Sequence, residues 1–422
     1  MAEFKLCFIA MGQGDCCIVQ CPDKRIVVVD CGRTSNRYGN LNYLTEGKAL
    51  LREFAAENKN RVDALILTHS DADHHNLVSE FFSESVIFSS VTYPSSGNTA
   101  TNVKFGKLGI QEIYISNAAA NDSVLGNYTG GNLNNYIYAN FFSTSAVYEV
   151  TINNPDDSKN SMSVWKNSDN FRNKQEIKSI AGKKLTVLNG KTDNKSWSVS
   201  LIAGNVPRYY DGVADFATED NAKSLITLIE LDGKKVLLTG DATTSTEEFL
   251  LKCNSPQIQN MELIQVPHHG SEFASTKKFV NSVNPKSAVV SVGFLEHSYK
   301  LPKYKVLERW LKKVEQKGFN LAYHDIDYWT SKIEKKGKEV DATLKDLNAI
   351  KDSWDKNHKL YDLNGSGTFF YLERPESGVY ALSSLGSIAM VLFRETVNSN
   401  LTMTSQKTQF YKLSETGISY GF

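Results

Sequence analysis

Residues 64–75 have the sequence ALILTHSDADHH, in which an apolar segment runs directly into three histidines and two aspartates. The apolar segment predicts a buried strand, so the polar cluster lies on a loop at a sheet edge, where binding groups are common. Histidine nitrogens and aspartate oxygens packed this densely are typical ligands of zinc or manganese. A solvated acidic loop explains Asp71 or His75 alone equally well. It does not explain the whole string, because the chain has only 8 histidines.

Two later segments end in the same way. In LLTGD, residues 237–241, a predicted strand is followed by Asp241, and in VPHHGS, residues 266–271, another is followed by His268 and His269. Three strand ends therefore supply histidine and aspartate. A catalytic two-metal site needs a carboxylate that bridges cations roughly 3.5 to 4 Å apart, and Asp241 is the candidate for that position.

The composition is that of a folded globular protein. The chain has 422 residues, of which 41% are hydrophobic and 22% charged, and this excludes a disordered, collagen-like or disulfide-scaffold protein. Lys plus Arg and Asp plus Glu each number 47, so the net charge is +0 and no overall positive field attracts nucleic acid or anionic membrane. Binding of either would need a local patch.

Membrane and targeting signals are not visible in the sequence. No apolar run approaches the roughly 20 residues of a membrane-spanning helix, and the first residues lack the pattern of a signal peptide, so we expect a cytoplasmic protein. Five of the six cysteines lie in the first 31 residues. We expect them to be reduced and buried, since a zinc site would require a second closely spaced pair.

Short apolar runs that alternate with helical segments predict an α/β fold. Residues from about 95 to 173 are rich in Asn, Ser, Gly and Thr, which indicates a loop-rich, partly structured insertion. A helix begins near Pro302 and ends before Gly318. Beyond Asp325 the signals are mixed and match no known module. The predicted strands are at 4–9, 16–20, 25–29, 64–68, 184–188, 198–203, 225–230, 235–239, 263–266 and 287–292, with a helix at 47–57.

These motifs together resemble the metallo-β-lactamase-fold hydrolases. The family signature His-x-His-x-Asp-His occurs here as His-x-Asp-x-Asp-His, at His69, Asp71, Asp73 and His74. This form, with GQGD at residues 12–15, resembles the hydrolase domain of the ComEC-type DNA-uptake proteins. The match also includes VDCG at 29–32, residues 221–224, Gly240-Asp241 and HHGS at 268–271, all in order.

The resemblance implies an αββα four-layer sandwich over residues 1–325, with the insertion at about 95–173 and an extension of unknown role over 326–422. It also implies two divalent metals, zinc first and manganese as the alternative. One metal takes Asp73, His74 and one histidine of the 268–269 pair, with His268 favoured. The other takes His69 and Asp71, and Asp241 bridges the two. Asp15 and Asp30 are outer residues that orient the ligands, with structural hydrogen bonding at a turn as the alternative.

The sequence departs from the family pattern at two places. Many members have a further histidine ligand midway along the chain, but none lies between His75 and His268. We therefore expect the His69/Asp71 metal to be the weaker site, or to take an oxygen from one of four residues: Asp211, Asp215, Asp220 or Asn221. Many members also have His-Pro before the last helix, where this chain has Leu301-Pro302. His297 is a candidate substitute, with a structural role as the alternative.

The predicted reaction is hydrolysis, because metal-bound water ionises near neutral pH and two cations neutralise an anionic transition state. Asp73 is the candidate to orient the water and take its proton, and His269 to contact the substrate or protonate the leaving group. Ser271 and His297 are further candidates for substrate contact. Phosphodiesters gain most from two metals, so we predict a phosphodiesterase or nuclease that acts on nucleic acid or a nucleotide.

Two alternatives stay open at this point. One is a hydrolase of another ester or of a lactam. The other is a component of an antiviral defence system whose metallo-domain binds a protein partner through the insertion or the C-terminal extension. ComEC-type proteins carry their hydrolase beside membrane-spanning segments, and no such segment occurs in this sequence, so we do not expect an uptake channel. Loss of Asp73 or Asp241 would have favoured an inactive enzyme, and both are present.

Overall fold

The computed structural model contains two large β-sheets that pack face to face, with helices on their outer surfaces, and a separate two-stranded sheet of residues 86–92 and 99–105. The described residues are 1–34, 43–82, 86–92, 99–105, 108–116, 125, 127–128, 144–169, 171, 173–178, 180, 183–292, 301–303, 306, 309–310, 313–314, 401–404 and 408–421.

The strands are β1 (Glu3–Phe8), β2 (Cys17–Gln20), β3 (Ile26–Val29), β4 (Arg61–Leu67), β5 (Val86–Thr92), β6 (Thr99–Phe105), β7 (Gly109–Ile115), β8 (Ala146–Thr151), β9 (Ser161–Lys166), β10 (Lys174–Lys178), β11 (Leu185–Thr192), β12 (Lys195–Ala203), β13 (Ile226–Leu231), β14 (Lys234–Leu238), β15 (Leu263–Gln265), β16 (Ser287–Val290), β17 (Leu401–Met403), β18 (Gln409–Ser414) and β19 (Gly417–Tyr420). The α-helices are α1 (Tyr43–Ala56), α2 (Ala72–His75), α3 (Val78–Phe82), α4 (Glu219–Ala222), α5 (Thr244–Cys253), α6 (Ser255–Ile258) and α7 (Lys277–Val283).

The first sheet contains ten described strands in the order β10-β9-β8-β7-β4-β3-β2-β1-β18-β19. Its strands alternate between two buried faces, as the two-residue period of a strand requires. In β1, Leu6 belongs to the core between the sheets, while Cys7 belongs to a second core that Phe54 of α1 and Phe81 of α3 complete. This sheet is therefore covered on one face by helices and on the other by the second sheet.

The second sheet contains seven described strands in the order β11-β12-β13-β14-β15-β16-β17. Aromatic packing joins it to the first sheet, since the rings of Phe4 and Trp197 meet edge to face with their centroids 5.6 Å apart. Phe249 of α5 and Phe279 of α7 are buried in the same core as this sheet's strands. The layers are helix, sheet, sheet and helix, so the predicted αββα fold class is confirmed.

Part of the loop-rich segment at 95–173 belongs to the first sheet. Strand β7 pairs in parallel with β4, and β8 and β9 continue the sheet outward from it. These strands lie toward the edge of the sheet and mix buried residues such as Val147 with partly exposed ones such as Tyr148. This pattern is less apolar than that of a fully buried strand, which is why composition alone indicated loops.

The end of the chain takes part in both sheets. Strand β17 pairs in parallel with β16, and β18 pairs antiparallel with β1. The sequence indicated only an extension of unknown role over 326–422, and residues 326–400 of that extension lie outside the described part of the chain. Residues 401–421 complete the sandwich from a distance of several hundred residues along the sequence.

Three further expectations can be compared with the structure. Residues 306, 309, 310, 313 and 314 are helical, and Val306, Trp310 and Val314 are buried on one face, in agreement with the helix predicted to begin near Pro302. All six cysteines are free and buried, as predicted. No helix among the described residues is long and apolar enough to cross a lipid bilayer.

Candidate metal centre

The predicted metal residues lie on the segments that follow β4, β14 and β15, with Asp73 and His74 on α2, against the loops that follow β1 and β3. Backbone hydrogen bonds hold these loops together: Asp15 N–H donates to Asp73 O at 3.1 Å, and His268 N–H donates to Gly240 O at 3.0 Å. Strands β3 and β4 are parallel, as are β14 and β15. Their carboxyl ends therefore meet at one edge of the sandwich, where α/β proteins bind their ligands.

Gly32 allows the loop after β3 to lie directly on α2. A Cβ atom at Gly32 would be 2.5 Å from the carbonyl carbon of Asp73 and 2.5 Å from the amide nitrogen of His75. No side chain fits at such distances from backbone atoms. The contact is fixed by a backbone hydrogen bond from Cys31 N–H to His74 O at 2.8 Å, and it brings Asp30 behind the ring of His74.

Asp241 lies between two pairs of histidines, and each of its carboxylate oxygens faces a different pair. Oδ1 is 3.3 Å from Nε2 of His74 and 3.4 Å from Nε2 of His269. Oδ2 is 3.6 Å from Nε2 of His268 and 4.0 Å from Nε2 of His69. A carboxylate that bridges two cations presents its two oxygens in this way.

The two remaining aspartates divide between the same pairs. Asp73 Oδ2 is 3.5 Å from Nε2 of His269, and Asp71 Oδ2 is 3.6 Å from Nε2 of His69. We therefore define two groups around Asp241. The inner group consists of Asp73, His74 and His269. The outer group consists of His69, Asp71 and His268.

Several buried polar atoms of these residues have no hydrogen-bond partner among the described residues: His69 Nε2, His74 Nε2, His269 Nε2 and Asp241 Oδ1. Buried polar atoms are nearly always paired, so a group of unpaired polar atoms that converge on one space suits a bound cation. Asp15, His74, Asp241 and His269 also offer one ligand atom each within 4.8 Å of one another. The residues present therefore suit a bound divalent metal.

Hydrogen bonds on the far side of each imidazole aim its Nε2 into the centre. His74 Nδ1 is 2.8 Å from Asp30 Oδ2, and His269 Nδ1 is 2.7 Å from the carbonyl oxygen of Ser291. Because a carbonyl oxygen only accepts, Nδ1 of His269 carries a proton, and Nε2 is the nitrogen available to a metal. Such partners fix the tautomer of metal-binding histidines.

The electrostatics of the site favour positive charge. Burial alone would lower the pKa of His269, but the carboxylate of Asp241 and its neighbours raise the pKa of His269 to about 10. Burial also lowers the pKa of His74, but the carboxylates of Asp241 and Asp30 raise it. The resulting pKa lies well above the usual value for histidine. Converging carboxylates thus stabilise cations here, whether protons on histidine or a metal that displaces them.

The outer residues named from the sequence lie beside the centre. Asp30 accepts hydrogen bonds from the backbone N–H and the hydroxyl of Thr68, both at 2.7 Å, besides facing His74. Asp15 is buried, and burial is the main cause that raises its pKa to about 6. Asp15 was expected to be an outer residue. One of its carboxylate oxygens nevertheless lies within 4.8 Å of ligand atoms of His74, Asp241 and His269, so Asp15 is itself a possible ligand.

His75 and Ser271 lie beside the centre, and their described contacts are with other groups. His75 Nδ1 bonds the carbonyl oxygen of Asp71 at 2.9 Å, and its ring packs edge to face on Tyr128 at 5.2 Å. Ser271 is buried, and its hydroxyl oxygen accepts from Phe273 N–H at 3.3 Å. His297 lies outside the described residues. Substrate contact by Ser271 and His297 stays a prediction.

Of the four residues considered as oxygen donors to the outer group, the structure brings one to the centre, through its amide nitrogen rather than its oxygen. Asn221 is buried, and its amide nitrogen is 2.8 Å from His268 Nε2 and 3.5 Å from Asp241 Oδ2. Asp215 bonds Ser245 N–H instead, at 3.0 Å. Asp211 pairs with Lys252 and Asp220 with Lys223.

Sequence reasoning did not assign a role to three polar residues that support the centre. Gln265 donates to Asp15 Oδ2 at 2.8 Å and accepts from Thr239 N–H at 3.1 Å. The hydroxyl of Ser224 accepts from Asp241 N–H at 3.2 Å. The hydroxyl of Thr68 donates to Asp30. A glutamine inside the apolar run LIQV was the available signal, since a buried amide needs partners.

Comparison with known proteins shows what this chain is similar to. Residues 10–85 match the family model described as the metallo-beta-lactamase superfamily, and this segment includes the motif at 69–75. A solved structure of the metallo-beta-lactamase fold protein YhfI from Bacillus subtilis aligns over 63% of this chain and 71% of its own, with 13% identity and a TM-score of 0.27.

Two curated relatives are similar over a shorter segment. "Recombination protein 2" of Haemophilus influenzae is 35% identical over 91 residues, which are 21% of this chain and 11% of the relative. "Competence protein ComA" of Neisseria gonorrhoeae is 35% identical over 91 residues, which are 22% of this chain and 13% of the relative. The chain thus spans little more than a tenth of these relatives. Over that segment, the resemblance to the metallo-β-lactamase superfamily and its ComEC-type members is confirmed.

Proposed function

We propose that this protein is a metal-dependent hydrolase of phosphodiester bonds that holds two divalent cations, with zinc first and manganese as the alternative. The inner group would hold one cation, the outer group the other, and Asp241 would bridge them. The observation that carries the proposal is that the two oxygens of one buried carboxylate face two separate histidine pairs. The unpaired Nε2 atoms of His69, His74 and His269 support it.

The adjacent histidines are proposed to serve different metals. From the sequence, His268 was favoured for the metal of Asp73 and His74, with His269 as a substrate contact. His269 is the histidine that faces Asp73, and its side chain is 2% exposed, so we assign it to the inner group. His268 joins the outer group and substitutes for the histidine that is missing midway along the chain. Both residues have a left-handed backbone, with φ of 50° and 51°, a strained conformation that is often found at functional sites.

The chain's own groups suit hydrolysis at this centre. When bound, two divalent cations activate a water and neutralise the charge that develops on a phosphate. Asp73 would orient the attacking water and hold its proton, because its side chain is 14% exposed and thus within reach of solvent. Asp71, at 41%, is the most exposed of the assigned residues, so the substrate would approach from its side. The amide nitrogen of Asn221 lies 2.8 Å from Nε2 of His268, and this contact would be given up when Nε2 binds the metal.

The choice of phosphodiesters has two supports. A pair of cations around a bridging carboxylate is a common arrangement for in-line displacement at phosphorus. The relatives are named for recombination and competence, which agrees with a nucleic-acid substrate. A hydrolase of another ester or a lactam is the alternative, and the substrate panel below distinguishes them.

The test combines metal analysis with hydrolysis. We expect the purified, metal-supplied protein to contain about two divalent ions and to hydrolyse bis-p-nitrophenyl phosphate and at least one of single-stranded DNA, RNA or a cyclic nucleotide. Asp241→Asn should lose most of the metal and the activity, while Asp232→Asn, an exposed aspartate paired with Lys195, should lose neither. Activity on a lactam or carboxylic ester alone would refute the phosphodiester assignment. Metal without any hydrolysis would favour a partner-binding role.

A cytoplasmic location is part of the same proposal. Its support is that all six cysteines are free and buried, and free thiols are typical of reducing compartments.

A further inference from the structure

Three aromatic side chains are exposed on the loops beside the metal centre. The exposed fraction is 53% for Tyr209, 72% for Phe216 and 37% for Phe273. They are three of the six large hydrophobic side chains that are exposed in the described part of the chain, so their grouping is not a general property of this surface. We refer to these three residues as the aromatic platform. Exposed apolar groups that cluster in this way commonly mark binding sites.

The platform is fixed to the first turn of α5. Tyr209 N–H donates to the Ser245 hydroxyl at 2.9 Å, and Thr244 N–H donates to the carbonyl oxygen of Phe273 at 3.1 Å. Thr244 and Ser245 follow Asp241 by three and four residues. The loops that carry the aromatic rings are therefore anchored to the segment that supplies the proposed bridging ligand.

A second connection joins the platform to the outer group. Phe216 precedes Asn221 by five residues, and Phe273 follows His268 by five residues. The side chains of Asn221 and His268 touch at 2.8 Å, and the rings of Phe216 and Phe273 lie 6.4 Å apart with a tilt of 49°. Two loops that meet at the centre therefore also meet at their aromatic residues.

Buried hydrogen bonds hold the loop of Phe216 in an orientation that leaves its ring in solvent. Asp215 is fully buried, and its carboxylate accepts from the Thr243 hydroxyl and from the N–H groups of Ser245 and Ala217. Arg208 donates to the carbonyl oxygen of Asp215 at 2.9 Å, and its guanidinium lies 4.6 Å from the ring centre of Tyr209. These hydrogen bonds hold the aromatic loops in place, and the guanidinium of Arg208 puts a positive charge beside the ring of Tyr209.

We propose that the aromatic platform stacks an unpaired nucleobase of the substrate whose phosphodiester is held at the metal centre. This rests on the proposed function. Every exposed large hydrophobic residue described on these loops is aromatic, which suits the flat face of a base better than an aliphatic lipid chain. The guanidinium of Arg208 suits a neighbouring phosphate. Bases in a duplex are already stacked on each other, so the platform selects single strands.

The test compares substrates with and without bases. Phe216→Ala and Phe273→Ala would be assayed on a short single-stranded oligonucleotide and on a backbone of the same length whose positions are abasic. We expect kcat/KM for the base-bearing strand to fall roughly 5- to 150-fold, mainly through KM, as for the loss of one stacked base. The abasic strand should change less than about twofold. Tyr420→Ala, which removes an exposed aromatic ring on β19, is the control and should change neither.

An equal loss on both strands, or no loss on the base-bearing strand, would overturn the proposal.

A binding measurement separates the platform from the proposed function. The Asp241→Asn protein should quench the fluorescence of an oligonucleotide that contains 2-aminopurine, and adding Phe216→Ala should remove the quenching. Phe216-dependent quenching, together with a metal-supplied unsubstituted protein that hydrolyses no phosphodiester, would support the platform and refute the proposed function. No quenching would refute the platform. Loss of sedimentation with phosphatidylglycerol vesicles in Phe216→Ala, with the oligonucleotide readouts unchanged, would assign the platform to a lipid surface instead.

Discussion

At the scale of single residues, the adjacent histidines show how a short segment can provide ligands on two sides of one carboxylate. Consecutive side chains in extended or helical backbone point in different directions. At His268 and His269 the backbone is left-handed, and both Nε2 atoms lie within 3.6 Å of Asp241, one at each oxygen. Spacing in the sequence identified both histidines as site residues. It did not identify which metal each would serve, because that depends on backbone angles that residue types do not reveal.

The assignment predicts different effects for the two histidines. His269→Ala removes a buried ligand of the inner group and should release one metal while the outer group keeps the weaker one. His268→Ala should release the outer metal and leave about one equivalent at the inner group, because Asp73, His74 and His269 are intact. Metal content by mass spectrometry of the purified variants measures this.

His75→Gln is the control for these variants, since His75 contacts Tyr128 and the backbone of Asp71 rather than Asp241. Its metal content should match that of the unsubstituted protein. If His268→Ala keeps both metals while His269→Ala loses both, the two histidines do not divide between two sites, and the proposed ligand groups are incorrect.

At the scale of elements, the strands that carry the centre were predicted to within three residues, because β4, β14 and β15 are buried runs that end in polar motifs. Strands β7 to β9 were not predicted, since they mix buried residues with partly exposed ones. The helices contain a further feature that no pattern indicated. Glu247 of α5 is fully buried and accepts from the N–H groups of Ser275 and Thr276, on the loop between His269 and α7.

Glu247 predicts a pH-dependent stability. Burial raises the pKa of Glu247 to about 7, against the opposing effect of the bonds from Ser275 and Thr276 and the charge of Arg309. A raised carboxyl pKa means that the folded protein holds the proton more tightly than the unfolded chain. The contribution to stability is therefore full below about pH 4.5 and is lost as the pH rises through about 7.

Glu247→Gln should remove this dependence, because the variant is neutral at every pH. Relative to the unsubstituted protein, its free energy of unfolding should improve between pH 5 and pH 8 by up to about 3 kcal/mol, as measured by urea unfolding. Glu248→Gln, whose carboxylate pairs with Lys278 at 2.9 Å, is the control and should show a constant difference. A constant difference for Glu247→Gln as well would mean that this carboxyl does not titrate between these pH values.

At the scale of the whole molecule, the two ends of the chain meet in one sheet. Residues Glu3 to Phe8 pair in register with Gln409 to Ser414, and Tyr411 packs edge to face on Phe8 at 5.9 Å. The family resemblance implied the layers of the sandwich, and hydrophobic periodicity, which is local, predicted an α/β fold. It did not predict this closure, since nothing in a local pattern specifies which distant strand completes an edge.

The closure predicts that a core substitution near the end of the chain destabilises the whole sandwich. Leu413 is fully buried in the core between the sheets, so Leu413→Ala should lower the free energy of unfolding by about 2 to 5 kcal/mol. Lys412, the preceding residue on β18, is partly exposed and lies 3.8 Å from Glu3. Lys412→Ala should cost no more than about 0.5 kcal/mol, as is usual for surface positions.

Urea unfolding followed by tryptophan fluorescence suits the comparison, because Trp197 lies in the same core. If Leu413→Ala leaves the midpoint of that transition unchanged, residues 401–421 do not form part of the sandwich. A lower midpoint for the same transition would show that the end of the chain and the body of the sandwich unfold together.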